Sequence, residues 1–197
     1  MAKLRMLDAI RAAIREEMLR DERVFCIGED IGIPGGWGGA FTVTLGLEQE
    51  FPDRMVNTPI SEATICGSAV GAAMVGVRPV VELMYMDFAL MASDQLFNQI
   101  GQLGHIYGGH VSVPLVCRTR IAAGLGYGAQ HSMDPVALFA LFPGWRILVP
   151  TTPFDVIGLF NAAMKLKSPT LIVEHQGFSG ETGMIPDSAE NAIRMDF

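Results

Sequence analysis

A chain of 197 residues, half of them hydrophobic, can bury one substantial core, and its length points to a single domain. A formal net charge of -7 excludes the clustered Lys and Arg that nucleic-acid binding requires, leaving proteins and small molecules as the expected partners. The first 23 residues carry charges throughout, so they form neither a secretory signal nor a membrane span, and the expected location is cytoplasmic. Cys26, Cys66 and Cys117 are far apart, each in an apolar run, which reads as reduced core residues rather than a disulfide framework or zinc site. Twelve methionines read as adaptable core packing.

Leu4, Leu7, Ile10, Ile14 and Met18 recur every three or four residues and predict an amphipathic first helix. Residues 24–28, VFCIG, read as a buried strand. Further short apolar strands are predicted around 55–57, 80–84, 114–117, 147–149 and 171–173, separated by helices over 43–50, 63–75, 90–106, 135–141 and 154–166. Apolar strands alternating with helices define an α/β fold, a parallel sheet of about six strands with helices on both faces. In such sheets sites form beyond the carboxyl ends of the strands, which singles out Glu62 and the loops 29–40 and 118–134. The glycine-rich stretch 31–40 lacks the lysine of a P-loop and the dinucleotide spacing, so it reads as a surface or interface loop. Apolar periodicity is lost over 177–197, which reads as a linker after a domain spanning 1–176.

The stretch 57–79, NTPISEATICGSAVGAAMVGVRP, delivers a single carboxylate, Glu62, onto the first turn of a helix almost free of charge. Gly67, Gly71, Gly76 and several alanines trade helix propensity for close approach to another backbone or a ligand. The plainer reading is that Ser61 caps the helix and Glu62 complements its dipole.

GEDIG at 28–32, the run TPISEATICGSAVGAAMVGVRPVVELMYMDFALMASDQLFNQ at 58–99 and GAQHS at 128–132 together resemble one family, with VPLVCRT, ILVPTTPFD and PTLIVEH continuing the match to about residue 175. It is the β subunit of the thiamine-diphosphate-dependent first component of 2-oxo acid dehydrogenase complexes, nearest its acetoin and pyruvate types. The resemblance implies a transketolase-like pyrimidine-binding domain. It implies that Glu62 hydrogen-bonds the cofactor's pyrimidine nitrogen, that Phe88 stacks on the ring with Met84 beside it, and that His131 is the active-site histidine. A carboxyl sharing a proton with that nitrogen helps remove the thiazolium carbon proton, and imidazole can move protons on the substrate carbonyl or the incoming dihydrolipoyl sulfur. Tyr85 reads as a core aromatic at the sheet end, Asp94 and Gln95 as interface residues satisfying backbone groups, and His105 and His110 as structural or subunit-facing.

The family's magnesium-diphosphate motif is not found here and belongs to its α subunit. The resemblance therefore implies thiamine diphosphate shared with an α subunit that holds Mg2+, a second copy of this chain, and a lipoyl acyltransferase component. Family β subunits carry a further carboxyl-terminal domain, of which 177–197 is expected to be the linker or start. Met133, Arg120 and Ile121 depart from the family pattern on the expected substrate side. Two other functions stay open: a transketolase-like or carboligase half, which a cluster of basic residues for a sugar phosphate would favour, and a non-catalytic α/β interaction module, which the presence of Glu62 and His131 disfavours.

Overall fold

The computed structural model describes residues 2–185. Six strands form one wholly parallel sheet in the order β3-β2-β4-β5-β7-β6: β2 (Val24–Glu29), β3 (Met55–Thr58), β4 (Arg78–Leu83), β5 (Val116–Ile121), β6 (Arg146–Leu148) and β7 (Thr170–His175). The expected α/β architecture is therefore present. Side chains alternate across a pleated strand, and this sheet divides its core accordingly. Cys26, Val80, Val116 and Ile172 join the cluster under helices α1 (Met6–Arg20) and α6 (Pro153–Ala163). Ile27, Val81, Cys117 and Leu171 join the cluster under helix α3 (Glu62–Met74). All three cysteines are buried and unpaired, and burial pushes the Cys26 and Cys66 thiols up to about 12.

Several elements differ from the sequence reading. The first helix begins at Met6; Leu4 lies instead in β1 (Ala2–Arg5), which pairs antiparallel with β8 (Thr182–Ile185) and so finds backbone partners that local periodicity does not reveal. The predicted linker thus includes β8, and its remainder, 186–197, falls outside the described residues. The helices expected over 43–50 and 135–141 shrink to α2 (Leu47–Glu50) and α5 (Val136–Phe139). The long helix expected over 90–106 is three pieces: a 3₁₀ segment Met86–Ala92, a π-helical segment Asp94–Ile100 and α4 (Gly101–Ile106). The cause of the π geometry is at Leu96. Its carbonyl accepts from Gly101 N–H five residues on and from the Trp145 indole at 3.0 Å. A Cβ on Gly101 would lie 2.9 Å from that indole nitrogen, so glycine lets the ring reach the helix.

The small residues of α3 serve different ends. Gly76, at φ 95°, closes the helix in a Schellman arrangement, with its own N–H donating to Ala73 and that of Val77 to Ala72. Gly67 permits close packing, since a Cβ there would lie 3.2 Å from Gln95 Oε1. Ser61 precedes the helix but makes no side-chain cap; its hydroxyl bonds Thr64 Oγ1 at 2.8 Å.

Strand β5 is longer than its apolar run because two arginines inside it are neutralised. Arg118 is 2% exposed, and its Nε and Nη2 donate to Glu174 Oε1 at 2.8 and 2.7 Å, while Nη1 donates to Glu82 Oε2. Arg120 Nη2 donates to Glu174 Oε2 at 2.9 Å and its guanidinium lies 4.0 Å above the Phe41 ring. Burial lowers the proton affinity of Arg118, and the pull of Glu174 and Glu82 more than reverses this, so Arg118 stays charged. Gly28 makes room beside them, since a Cβ there would lie 2.8 Å from Glu82 Cβ. Arg118→Ala should strand the Glu82 carboxylate in the sheet, leave Glu174 with Arg120 alone, and cost about 3–5 kcal/mol, measurable by urea unfolding.

Candidate functional site

A cleft of about 460 Å³ opens beyond the carboxyl ends of the central strands. Its lining comes from separate pieces of chain. Glu29 ends β2, Ile60 comes from the turn that leads from β3 into α3, and Glu62 is the first residue of that helix. Met84 and Tyr85 follow β4, Phe88 and Met91 come from the 3₁₀ segment, and His131 comes from the long loop after β5. Glu62, Met84, Phe88 and His131, the four residues expected from the sequence, all line this one cleft.

His131 is held by aromatic edges. Its ring centroid lies 5.2 Å from that of Tyr85 and 5.2 Å from that of Phe88, both close to perpendicular. Tyr85 is itself fixed: it is 7% exposed, meets Phe41 edge-on at 5.4 Å, and donates its hydroxyl to Gln176 Oε1 at 2.8 Å. Gln176 Nε2 in turn donates to the Tyr127 hydroxyl at 2.9 Å. Tyr85 thus contributes to the cleft as well as to the core, beyond its sequence reading.

Glu29 falls at the start of the loop 29–40 that the strand-end rule singles out but is not picked out individually from the sequence, although it ends the apolar strand 24–29 much as Glu62 follows another. Partial burial pushes its carboxyl above the usual range, and the nearby charges of Asp30 and Glu62 push it further. The cleft therefore sets two acids in a mostly apolar wall, with the exposed Ile60 and Met91 at 73% and 70% forming part of its rim. Among the described residues no lysine or arginine lines it. Such a lining, apolar walls with a few convergent polar groups, is that of a small-molecule site.

Other sequence candidates lie elsewhere. His105 and His110 are exposed near the end of α4, and His175 Nδ1 accepts from Gly177 N–H at 3.1 Å. Asp94 accepts from the Asn98 and Gln95 side-chain amides at 2.8 and 3.3 Å rather than from the backbone. Arg120 and Ile121 belong to β5 and are buried, not to a substrate-side loop. The glycine-rich stretch is anchored by buried Ile31, with Trp37 standing 66% exposed. No helix among the described residues is long and apolar enough to cross a membrane.

Residues 2–179 match the family model described as the pyrimidine binding domain of transketolase. The chain belongs to that family of thiamine-diphosphate-enzyme domains, in agreement with the motif resemblance. It is 39% identical over 194 residues to the β subunit of acetoin:2,6-dichlorophenolindophenol oxidoreductase of Cupriavidus necator, covering 95% of this chain and 57% of that one. It is 41% identical over 184 residues to the pyruvate dehydrogenase E1 component subunit β of Chlorokybus atmophyticus, covering 93% and 54%. With the 2-oxoisovalerate dehydrogenase subunit β of Bacillus subtilis it shares 38% over 177 residues, covering 89% and 53%. The chain thus spans a little over half the length of these relatives. A solved split-gene transketolase, described as an inactive β4 tetramer, shares the fold with a TM-score of 0.71 at 21% identity, over 96% of this chain and 55% of that one.

The raised Glu29 carboxyl has a thermodynamic consequence. Its folded pKa exceeds the unfolded one, so the stability it contributes when protonated is present at acid pH and lost as pH rises through the folded value. Glu29→Gln should therefore raise the melting temperature near neutrality, and the gain should vanish well below the ordinary glutamate pKa. Thermal scans of both proteins across that pH range make the comparison.

Proposed function

We propose that this chain is the pyrimidine-holding β half of a thiamine-diphosphate enzyme that oxidatively cleaves a 2-oxo acid or acetoin and passes the acyl unit to a lipoyl carrier. The observation that carries the reading is the convergence of Glu62, Phe88, Met84 and His131 on one cleft at the strand ends, in a chain whose relatives bear dehydrogenase β-subunit names. When bound, the cofactor supplies the carbanion chemistry that breaks the bond beside the oxo group.

The chain's own residues divide the remaining work. Glu62, half-buried on the first turn of α3, shares a proton with the ring nitrogen and so activates the cofactor. Phe88 and Met84 wall the ring and exclude water. His131 moves a proton at the substrate oxygen or the acceptor sulfur. Among the described residues the cleft has two carboxylates and no lysine or arginine to hold a diphosphate, which supports assigning that end and its magnesium to an α-type partner chain. The same lack of lysine and arginine favours a small 2-oxo acid over a sugar phosphate, and so disfavours the transketolase-like alternative. The presence of both acid and imidazole in the cleft supports catalysis over a bare interaction module. We extend the assembly to a second copy of this chain and a lipoyl acyltransferase, with residues 1–176 as the pyrimidine domain. Three free, buried thiols support a reducing, cytoplasmic setting.

The test is reconstitution with an α-type subunit, thiamine diphosphate and magnesium, followed by acylation of a lipoyl domain from pyruvate, branched 2-oxo acids or acetoin. Transfer from one of these is the expected result, and transfer of a two-carbon unit to an aldehyde sugar in its place would overturn the reading. In that complex Glu62→Gln should slow exchange of the cofactor's thiazolium carbon proton by about 10²-fold or more, read by NMR. His131→Ala should leave this exchange intact and lower lipoyl acylation by about 10²- to 10⁴-fold.

A further inference from the structure

The loop that carries His131 is built to be loose. Gly124, Gly126 and Gly128 all take positive φ, and the short Ala129–His131 turn is closed locally by His131 N–H donating to Gly128. Among the described residues, two side-chain hydrogen bonds tie this stretch to the body of the protein. One is the Gln176–Tyr127 bond, four residues before His131. The other, two residues after it, runs from the Met133 N–H to Asp87 Oδ1 at 3.0 Å.

Asp87 is an unusual residue for the place it occupies. It lies 4% exposed in the 3₁₀ segment between Tyr85 and Phe88, the two residues whose rings flank His131. Among the described residues no ion pair accompanies it, and its second oxygen, Oδ2, is buried without a hydrogen bond. Ser132 Oγ, on the residue between His131 and Met133, is likewise buried without a partner. A buried carboxylate with half its acceptor capacity idle opposes folding, so its place demands another reason.

We infer that Asp87 is a positioning residue for His131: its carboxylate grips the loop at Met133 and so seats the imidazole against Tyr85 and Phe88. The inference rests on the proposed function only for its effect on turnover, because the seating itself is a matter of geometry. One rigid segment supplies both the flanking ring of Phe88 and the clamp, so the imidazole is referenced to the same piece of backbone that walls the cleft. Misplacing a group of this kind can cost about 10²-fold in rate without weakening substrate binding.

The experiment compares Asp87→Ala with Asp87→Asn. Asparagine keeps the Oδ1 acceptor for the Met133 N–H and removes the charge, so it should preserve the clamp. The first readout is the NMR position of the His131 ring proton in this chain alone, assigned with His131→Gln. The Tyr85 and Phe88 rings should displace it from the resonances of exposed His105 and His110. In Asp87→Ala the displacement should be lost, and in Asp87→Asn it should remain. The second readout is lipoyl acylation in the reconstituted complex, where Asp87→Ala should lower kcat by up to about 10²-fold with KM little changed and Asp87→Asn should stay near wild type. An unmoved His131 signal in Asp87→Ala overturns the clamp. So does a folded Asp87→Asn that loses the displacement, a comparison that stands even where the alanine variant does not fold. A retained NMR displacement in Asp87→Asn without acyl transfer by the wild-type complex would leave the clamp intact and count against the functional reading.

Discussion

The structure turns on the charge of one buried side chain. Arg118 sits mid-strand on the central β5 and is met by Glu82 from β4 on one side and Glu174 from β7 on the other, so a single guanidinium holds three parallel strands together at the end of the sheet where the cleft opens. Below it Val80, Val116 and Ile172 on the same face of the sheet pack under α1 and α6. Removing charges from water is costly unless each is matched, and here fork and carboxylate geometry match them. The sheet can therefore carry ionised groups at the very edge of its core.

From that network a line of contacts leads to the site. Arg120 shares Glu174 with Arg118 and lies over Phe41, Phe41 meets Tyr85 edge-on, and Tyr85 meets His131. Each contact is a packing constraint on the next ring, so the imidazole's position depends on strands it never touches. The opposite wall is set by α3, whose first residue is Glu62 and whose length is fixed by the glycine turn at its end. The cleft gathers acids against apolar walls, which opposes folding locally and marks it as the candidate functional site.

The sequence by itself determined the α/β class, five of the six sheet strands to within a residue or two, and one residue of the cleft, Glu62. It did so because apolar strands alternating with helices admit few architectures and because a lone acid on a small-residue helix is conspicuous. Motif resemblance added Met84, Phe88 and His131, which no periodicity marks as site residues. What only the tertiary structure decided were the features whose causes lie far away in the chain. Arg118 and Arg120 read as loop residues until Glu82 and Glu174 arrive from neighbouring strands to neutralise them. The break in the helix over 90–106 needs an indole from residue 145. Glu29 and Asp87 look like ordinary acids until folding places one beside Glu62 and the other beneath the loop of His131. Local pattern fixes which residues can be buried, whereas the partners that make a buried charge tolerable, or useful, are chosen only when distant strands meet.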